Sequence, residues 1–336
     1  MWTKRLIAFG ATASVALVFW LGIVHADDSL VVYSGRSQGL VEPILKEFEA
    51  ETGIRVRAKY GTSAQLSLAL REEGSRSPAD VFWAQEAGAL EQLHVSGFLV
   101  PLPKAILQTV PVEYRHSAGA WVATSGRARV VAYAPARVPE DALPSSIFDL
   151  TDAKWSGRVG WAPTNASFQA AVTAMRLQHG DDATRDWLRA MNANGAKAYA
   201  NNTAVIQGIA AGEVDLGLAN HYYLLRFKAD DANYPVEQTY FEEGDAGNLI
   251  NLAGAGMLKS SRNQEAAAAF IRFLLDRKAQ EYFANEVFEY PVNEAVPADP
   301  SLMPLAELTA RSPRVELSAL EDSRGTLDLL REAGVL

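Results

Sequence analysis

The clearest structural pattern of the chain is in residues 30–60, LVVYSGRSQGLVEPILKEFEAETGIRVRAKY. Residues 30–33 are apolar and rich in valine, which predicts a short strand that ends at Ser34-Gly35. Apolar side chains then recur at helical spacing from residue 40 to residue 48, and Gly53 marks the end of the helix. Residues 54–60 alternate with a period of two and predict a second strand. A strand, a helix and a strand in this order predict a parallel βαβ unit.

The alternation of strands and helices continues through most of the chain. Further strands are predicted at about residues 79–84, 128–134, 159–162, 214–219 and 249–257, and helices at about 64–73, 86–95, 166–178, 183–192, 203–212 and from 263 onward. This repetition predicts an α/β protein with a mainly parallel sheet and helices on both of its faces. By analogy, two such lobes closing on a ligand about a hinge are expected.

The first 26 residues have a different composition from the rest. Lys4 and Arg5 are followed by an apolar run over residues 6–24 and by the small residue Ala26. A basic start, an apolar middle and a small exit residue are typical of a secretory signal peptide. An uncleaved membrane anchor is the alternative, but polar residues follow Ala26 directly. Residues 1–26 are therefore predicted to be a cleaved signal peptide of a periplasmic protein.

Size and charge limit the possible functions of the remaining 310 residues. That length favours two domains. The formal net charge of −9 becomes −11 without the signal peptide, because that segment holds two basic residues and no acidic ones. Nucleic-acid binding is not expected, since it requires a basic surface. The chain has no cysteine, which excludes disulfides, thiolate metal sites, cysteine nucleophiles and a lipid-anchored signal.

Familiar catalytic and metal-binding motifs are absent from the sequence. There is no Gly-x-Ser-x-Gly elbow, no His-Glu-x-x-His pair and no phosphate-binding loop. The four histidines beyond the signal peptide are far apart and show no metal-ligand spacing: His94, His116, His179 and His221. Each is expected on the surface or in a loop, with His221 set apart by its neighbours.

Three tyrosines are the strongest ligand candidates. The segment ANHYYLLR, residues 219–226, places Tyr222 and Tyr223 at the carboxyl end of a predicted strand, where ligands bind in open α/β sheets. Tyr133 ends the predicted strand at 128–134. Packing in the core remains the alternative for each ring. A phenol with a pKa near 10 is a poor catalyst at neutral pH, whereas three phenolates would balance the charge of a hard cation such as Fe3+.

The sequence resembles the periplasmic ferric-ion-binding proteins that supply iron ABC transporters. The resemblance covers nearly all of the mature chain and rests on the order of eight segments: LVVYSGRSQGLVEPILKEFEAETGI (30–54), EEGSRSPADVFWAQEAGAL (72–90), SGRARVVAY (125–133), VGWAPTNASFQ (159–169), KAYANNTAV (197–205), GEVDLGLANHYYLLRF (212–227), DAGNLINLAGAGMLKSS (245–261) and FEYPV (288–292). No single segment is diagnostic, but their order is specific.

The resemblance implies a two-lobed periplasmic-binding-protein fold of type II, like a transferrin lobe, with hinge strands. The N-terminal lobe would comprise residues 27–128 plus about 254–304, and the C-terminal lobe about 129–253 plus about 305–336. It also implies a monomer without enzymatic activity. Such a protein delivers Fe3+ to an inner-membrane permease and its ATPase.

The resemblance also implies a set of metal ligands. Tyr222 and Tyr223 match the twin iron-binding tyrosines of the family, and Tyr133 matches a third tyrosine of its all-tyrosine members. Some members also use a His after the first strand and a Glu after the third. This chain has no His in YSGRSQ and has Gln85 where the Glu would stand. Glu86 is expected to begin a helix instead. The protein is therefore assigned to the all-tyrosine type.

Family members complete the iron coordination with a synergistic anion such as carbonate or bicarbonate. Arg36 and Arg127 could hold it with paired N–H groups. Asn202 and Thr164 could donate from helix starts. Structural ion pairs for the arginines and helix capping for Asn202 and Thr164 remain the alternatives.

Two other functions stay open at this point. The first is a two-lobed binding protein for an organic solute such as a polyamine, or for an oxyanion. The second is a secreted metal-dependent hydrolase that uses a carboxylate pair such as Asp80 and Glu86.

Overall fold

A computed structural model describes residues 29–315 and 322–336. The predicted signal peptide lies outside the described residues. The strands are β1 Leu30–Ser34, β2 Val56–Tyr60, β3 Val81–Ala84, β4 Leu99–Val100, β5 Val122–Tyr133, β6 Val159–Trp161, β7 Lys197–Ala198, β8 Leu216–Asn220, β9 Glu237–Thr239 and β10 Ile250–Leu258.

The α-helices are distributed along the whole described chain. They are α1 Gln38–Thr52, α2 Ser63–Glu73, α3 Ala87–Val95, α4 Lys104–Leu107, α5 Ala166–Ala193, α6 Asn202–Ala210, α7 His221–Asp230, α8 Gln264–Leu274, α9 Arg277–Asn285, α10 Leu305–Arg311 and α11 Ser323–Glu332. None of these helices in the described part of the chain is both long and apolar enough to cross a membrane.

The predicted helix ends and breaks are confirmed at two glycines. Gly53 ends α1 with a φ of 73°, in the left-handed conformation that glycine adopts without steric cost. Gly180, with φ 84° and ψ 166°, interrupts the helical backbone of α5. The two helices predicted at 166–178 and 183–192 therefore meet at this residue. Strands β4, β7 and β9 were not predicted, because two or three residues are too few to show a period.

The sheet is mixed rather than mainly parallel. Its strand order is β2-β1-β3-β10-β5-β8-β6-β7, with β4 paired to β10 and β9 paired to β5. β1 pairs in parallel with β2 and β3, and β6 pairs in parallel with β7 and β8. β5 and β10 are antiparallel to each other and to their neighbours β3 and β8. The prediction of a mainly parallel sheet is wrong at these two central strands, which run between the βαβ halves.

Strands β5 and β10 join the two halves. β5 pairs with β10 as far as Ala128 and with β8 from Arg129 to Tyr133. The change of partner therefore occurs between Ala128 and Arg129. The β5–β10 ladder shifts register between Ala253 and Gly254. This irregularity is typical of a β-bulge, which bends and twists a strand locally.

Each half of the molecule has its own aromatic core. In the first half Phe270 contacts Phe48 and Trp83, with ring centroids 5.1 and 5.9 Å apart. In the second half Trp161 contacts Phe168 and Trp187, at 5.6 and 6.1 Å. All these rings are buried. Two separate cores are the arrangement that two lobes require.

The last two helices pack on different halves. Leu308 of α10 is buried in the first core, whereas α11 packs against α5 of the second half. Thr173 of α5 and Thr326 of α11 are hydrogen-bonded, with their hydroxyl oxygens 2.7 Å apart. Thus α10 packs with the first core and α11 with the second half, whereas the predicted C-terminal lobe, with its segment at about 305–336, includes both helices.

Candidate metal centre

The twin tyrosines stand where strand β8 becomes helix α7. β8 is buried along its whole length and ends at Asn220. Asn220 has the extended backbone of a helix N-cap, but its side chain makes no capping hydrogen bond. Helix α7 therefore begins next to Tyr222 and Tyr223 without a side-chain cap, and the N-terminus of a helix favours negative charge.

The two phenol rings are stacked on each other. Their centroids are 4.3 Å apart with an interplanar angle of 30°. Tyr222 is buried and Tyr223 is partly exposed. Burial raises the pKa of Tyr222, and the Tyr223 hydroxyl next to it adds to the effect, while Arg127 opposes it. The Arg226 guanidinium lies 4.9 Å from the Tyr222 ring centroid, within the range of a cation–π contact.

The side chain of His221 is hydrogen-bonded to the backbone and is not placed as a metal ligand. Its Nδ1 accepts a hydrogen bond from the Ala128 backbone N–H at 3.0 Å, and its Nε2 donates to the Phe288 carbonyl at 2.7 Å. Both ring nitrogens are thus engaged. Burial lowers the pKa of His221 to about 4, so the ring is neutral at pH 7. His221, which the sequence set apart from the other histidines by its position, ties α7 to β5 and to the segment before Tyr290.

Two arginines project from the same face of β5 toward this region. Arg127 and Arg129 are two residues apart and both are buried. The Nη2 of Arg127 donates to the Gln85 carbonyl, and its Nε is buried without a hydrogen-bond partner. Arg129 Nη1 lies 3.2 Å from the Asn220 Oδ1. Burial lowers the pKa of Arg129 to about 10, while Tyr222 and Tyr223 oppose that shift.

Arg36 forms a buried ion pair at the edge of the site. Its Nη2 donates to both carboxylate oxygens of Glu289 at 2.9 Å, and both side chains are inaccessible to solvent. Ser125 on β5 donates to the same carboxylate at 2.5 Å. Burial alone would raise the pKa of Glu289, but Arg36 and Arg127 hold it below its usual value. The Nε and Nη1 of Arg36 have no partner among the described residues.

The two helix-start candidates have different positions. Asn202 is buried at the first residue of α6, where Asn201 provides the cap. The Nδ2 of Asn202 donates to the Ser167 Oγ at 3.4 Å, and its Oδ1 has no partner. Thr164 is exposed in the turn before α5, and Asn165 caps that helix. The structure therefore places Asn202 with the buried polar groups and leaves Thr164 at the surface.

Gln85 and Glu86 face the arginines from the first lobe. The Gln85 Oε1 is buried without a partner. Glu86 is the N-cap residue of α3, which confirms the predicted helix start. Its carboxylate accepts a hydrogen bond from Ser63 at 3.0 Å. Burial raises the pKa of Glu86, and Arg127 opposes the shift, which places this carboxylate within electrostatic range of the site.

Tyr133 does not lie with the twin tyrosines. On β5 it stands opposite Leu216 at the start of β8, whereas Arg129 stands opposite Asn220 at the end. Four residues of strand separate the two positions, about 13 Å. Tyr133 is buried in the apolar core of the second half. Because both sites belong to the same half of the molecule, closure of the lobes would not bring them together. Of the three phenols expected to converge, the structure brings only Tyr222 and Tyr223 together.

Replacing Tyr133 by Phe is expected to leave any Fe3+–phenolate absorption of Tyr222 and Tyr223 unchanged. The ring of Tyr133 would keep its core contacts, and the lost hydroxyl lies about 13 Å from the end of β8. Visible absorption spectra of the iron-loaded Tyr133→Phe variant and the parent protein would check this. A band that disappears in this variant would restore Tyr133 as a ligand.

The site combines excess positive charge with unpaired polar atoms. Three buried arginines are accompanied by two carboxylates, and polar atoms of Arg36, Gln85, Arg127 and Asn202 have no partner among the described residues. Buried polar groups are normally satisfied, so the arrangement can accept an anion or an anionic metal complex.

Sequence reasoning missed Arg129, Glu289 and Ser167. The alternation of Arg127 and Arg129 on one strand face was a usable signal for the first. The FEYPV segment was recognised as a family feature, but nothing in its pattern indicates that its Glu pairs with Arg36 across 253 positions.

The chain is similar to known proteins over most of its length. The family model of bacterial extracellular solute-binding proteins matches residues 30–289. The Fe(3+)-binding periplasmic protein of Serratia marcescens is 35% identical over 327 residues, which is 96% of each chain. The major ferric iron-binding protein of Neisseria meningitidis serogroup A is 34% identical over 313 residues, covering 91% of this chain and 93% of the relative.

A solved structure extends the similarity to three dimensions. Iron-bound HitA from Pseudomonas aeruginosa matches with a TM-score of 0.86 and 35% identity, covering 91% of this chain and 99% of the other. This similarity confirms the predicted two-lobed α/β fold. The chain belongs to the bacterial extracellular solute-binding proteins and, among them, to the periplasmic ferric-ion-binding family.

Proposed function

We propose that the protein binds Fe3+ in the periplasm through the phenolate oxygens of Tyr222 and Tyr223. The observation that carries the proposal is the stacked pair of phenols at the start of α7, next to the buried guanidinium groups of β5. Fe3+ is a hard cation that prefers anionic oxygen ligands, and a bound cation can deprotonate its ligand. Relatives of high similarity are named as ferric-binding proteins.

A small oxyanion such as carbonate or bicarbonate would complete the coordination sphere. Two phenolates leave an octahedral Fe3+ with open positions and one uncompensated positive charge. Arg127 and Arg129 supply N–H donors close to the tyrosines, and Asn202 adds a buried polar side chain. Arg36 retains two nitrogen atoms, Nε and Nη1, that have no hydrogen-bond partner among the described residues. Guanidinium groups suit the planar, bidentate recognition of such anions.

The cellular role follows from the family. The mature chain would capture Fe3+ in the periplasm after removal of residues 1–26, as a monomer without enzymatic activity. It would then present the ion to an inner-membrane permease driven by an ATPase. Release has to overcome two phenolate bonds, and competition by protons for these ligands is one way to weaken them.

The proposal is tested by adding ferric salt and bicarbonate to the purified mature protein. We expect a visible phenolate-to-iron charge-transfer band that saturates at one Fe3+ per chain. The raised pKa of Tyr222 means that its phenol is protonated in the iron-free protein. Binding should therefore release protons and tighten as the pH rises.

Three results would contradict the proposal. A colourless protein that takes up no iron would remove its basis. Binding of a polyamine without iron would favour the organic-solute alternative. Turnover of a model ester or phosphate substrate with a bound metal would favour the hydrolase alternative.

A further inference from the structure

A cluster of metal-ligating side chains lies away from the tyrosines. It consists of Glu91 and His94 on helix α3 and His116 in the loop before β5, and these three residues are called the α3 cluster below. Each offers one ligand atom, and the three atoms lie within 4.8 Å of one another. No metal-ligand spacing was visible for these histidines in the sequence, because the fold brings together positions 22 residues apart.

The α3 cluster is compact and partly shielded. Glu91 is buried, and both histidines are partly exposed. The His116 Nε2 lies 3.2 Å from the Glu91 Oε2. The two imidazole rings are 4.2 Å apart between centroids. The Trp121 indole N–H donates to the same Glu91 oxygen at 3.5 Å.

These distances are near those of a tetrahedral metal site. Zinc–ligand bonds of about 2.0–2.2 Å place neighbouring ligand atoms about 3.3 Å apart. The separation between His116 and Glu91 already has this value, and a rotation of the partly exposed His94 side chain would bring in the third ligand. Two imidazoles and one carboxylate are a donor set that suits Zn2+ and related divalent ions.

We propose that the α3 cluster binds one divalent transition-metal ion such as Zn2+, with water in the remaining position. The Glu91 carboxylate and the two imidazoles each supply one ligand atom. The site is open on the side of the exposed residues Ser117 and Ala118, so a water ligand can enter.

Binding requires a change of tautomer at His116. Without metal, its Nδ1 accepts hydrogen bonds from the Ala118 and Ala120 backbone N–H groups, at 3.2 and 3.5 Å. Its proton then resides on Nε2 and points at Glu91. The metal ion must replace that proton on Nε2, and the proton moves to Nδ1. The Ala118 and Ala120 N–H groups then both lose this acceptor; Ala118 is exposed to water, whereas Ala120 is buried.

The α3 cluster is separate from the proposed iron site. Glu86, which faces Arg127, is at the N-terminal end of α3, and His94 is in its last turn. The helix is nine residues long, or about 13 Å. Loss of the α3 cluster should therefore leave iron binding intact, and loss of the tyrosines should leave the α3 cluster intact.

Calorimetric titration of Zn2+ into untagged, chelator-treated mature protein tests the inference. The Tyr222→Phe/Tyr223→Phe double variant is used so that zinc cannot occupy the tyrosine site. We expect one Zn2+ per chain in this variant. Adding His94→Gln, which keeps a similar side-chain size, should weaken Zn2+ binding at least about 10-fold, the scale seen even for outer-shell changes at zinc sites.

A matched control and a local probe locate the ion. His179→Gln should leave Zn2+ affinity unchanged, because His179 contacts Phe148 in the other half of the molecule. In amide NMR spectra Zn2+ should shift the Ala118 and Ala120 signals in the double variant. Zn2+ binding that is absent in the double variant, or equally tight after His94→Gln, would overturn the inference.

Discussion

Replacing Tyr222 or Tyr223 by Phe should abolish the visible iron band or shift it strongly, and weaken Fe3+ binding by more than about 100-fold. Loss of an outer-shell partner alone costs about 10- to 100-fold at metal sites, and each of these changes removes an anionic oxygen from the metal itself. The phenyl ring retains the stacking contact at 4.3 Å, so the fold should survive. Competition with a chelator of known affinity would measure the loss.

A control variant distinguishes the loss of these two phenol groups from the general effect of a Tyr→Phe change. Tyr234 belongs to the same half of the molecule and stacks on Phe227 with centroids 4.7 Å apart. Tyr234→Phe should therefore keep both the band and the affinity. If Tyr222→Phe and Tyr223→Phe both bind Fe3+ as tightly as this control, phenolate coordination is excluded.

Replacing Glu289 by Ala should lower the free energy of unfolding by about 3–5 kcal/mol. Removing one partner of a buried ion pair leaves the other charge uncompensated, and this magnitude is typical of such a loss. Here the orphaned group is the fully buried Arg36, and Ser125 also loses its acceptor. Urea unfolding followed by far-ultraviolet circular dichroism would measure the change.

Two comparisons make the Glu289 experiment specific. Glu281→Ala removes the exposed pair with Arg277 on helix α9 and should cost only about 0.3–0.5 kcal/mol. Combining Arg36→Met with Glu289→Leu should recover much of the loss, because no unpaired charge remains. A cost for Glu289→Ala no greater than that of Glu281→Ala would show that the pair is unimportant for stability.

The fold was predictable from the sequence where local patterns agree with the final packing. Residues 30–60 form the expected strand, helix and strand, and the break at Gly180 matches the gap between two predicted helices. The twin tyrosines also follow their strand as predicted, since β8 ends at Asn220. In these segments the hydrophobic period and the terminating residues carry the information.

The central strand shows why the rest could not be predicted. Strand β5 was expected at 128–134, yet it begins at Val122 and includes Ser125, Gly126 and Arg127. These residues have low strand propensity, but pairing with β10 incorporates them into the sheet. Tertiary context therefore outweighs local preference at the segment that carries the site.

The error at Tyr133 has a related cause. The sequence shows that Tyr133 and Asn220 both end strands, but it does not show the relative direction of those strands. β5 and β8 are antiparallel, so their carboxyl ends lie at opposite edges of the sheet. A pattern-based assignment that treats all strand ends as one edge fails for such a pair.

The unbroken run of β5 and β10 from one lobe to the other has a mechanical consequence. Two hydrogen-bonded strands resist torsion more than a flexible linker does. Opening of the lobes must therefore twist both strands together. The irregular pairing at Ala253 and Gly254 is where the two strands can twist with the least disruption of their hydrogen-bond ladder. A substitution that makes this point more rigid would thus change the rate of Fe3+ release without altering any residue proposed to bind the ion.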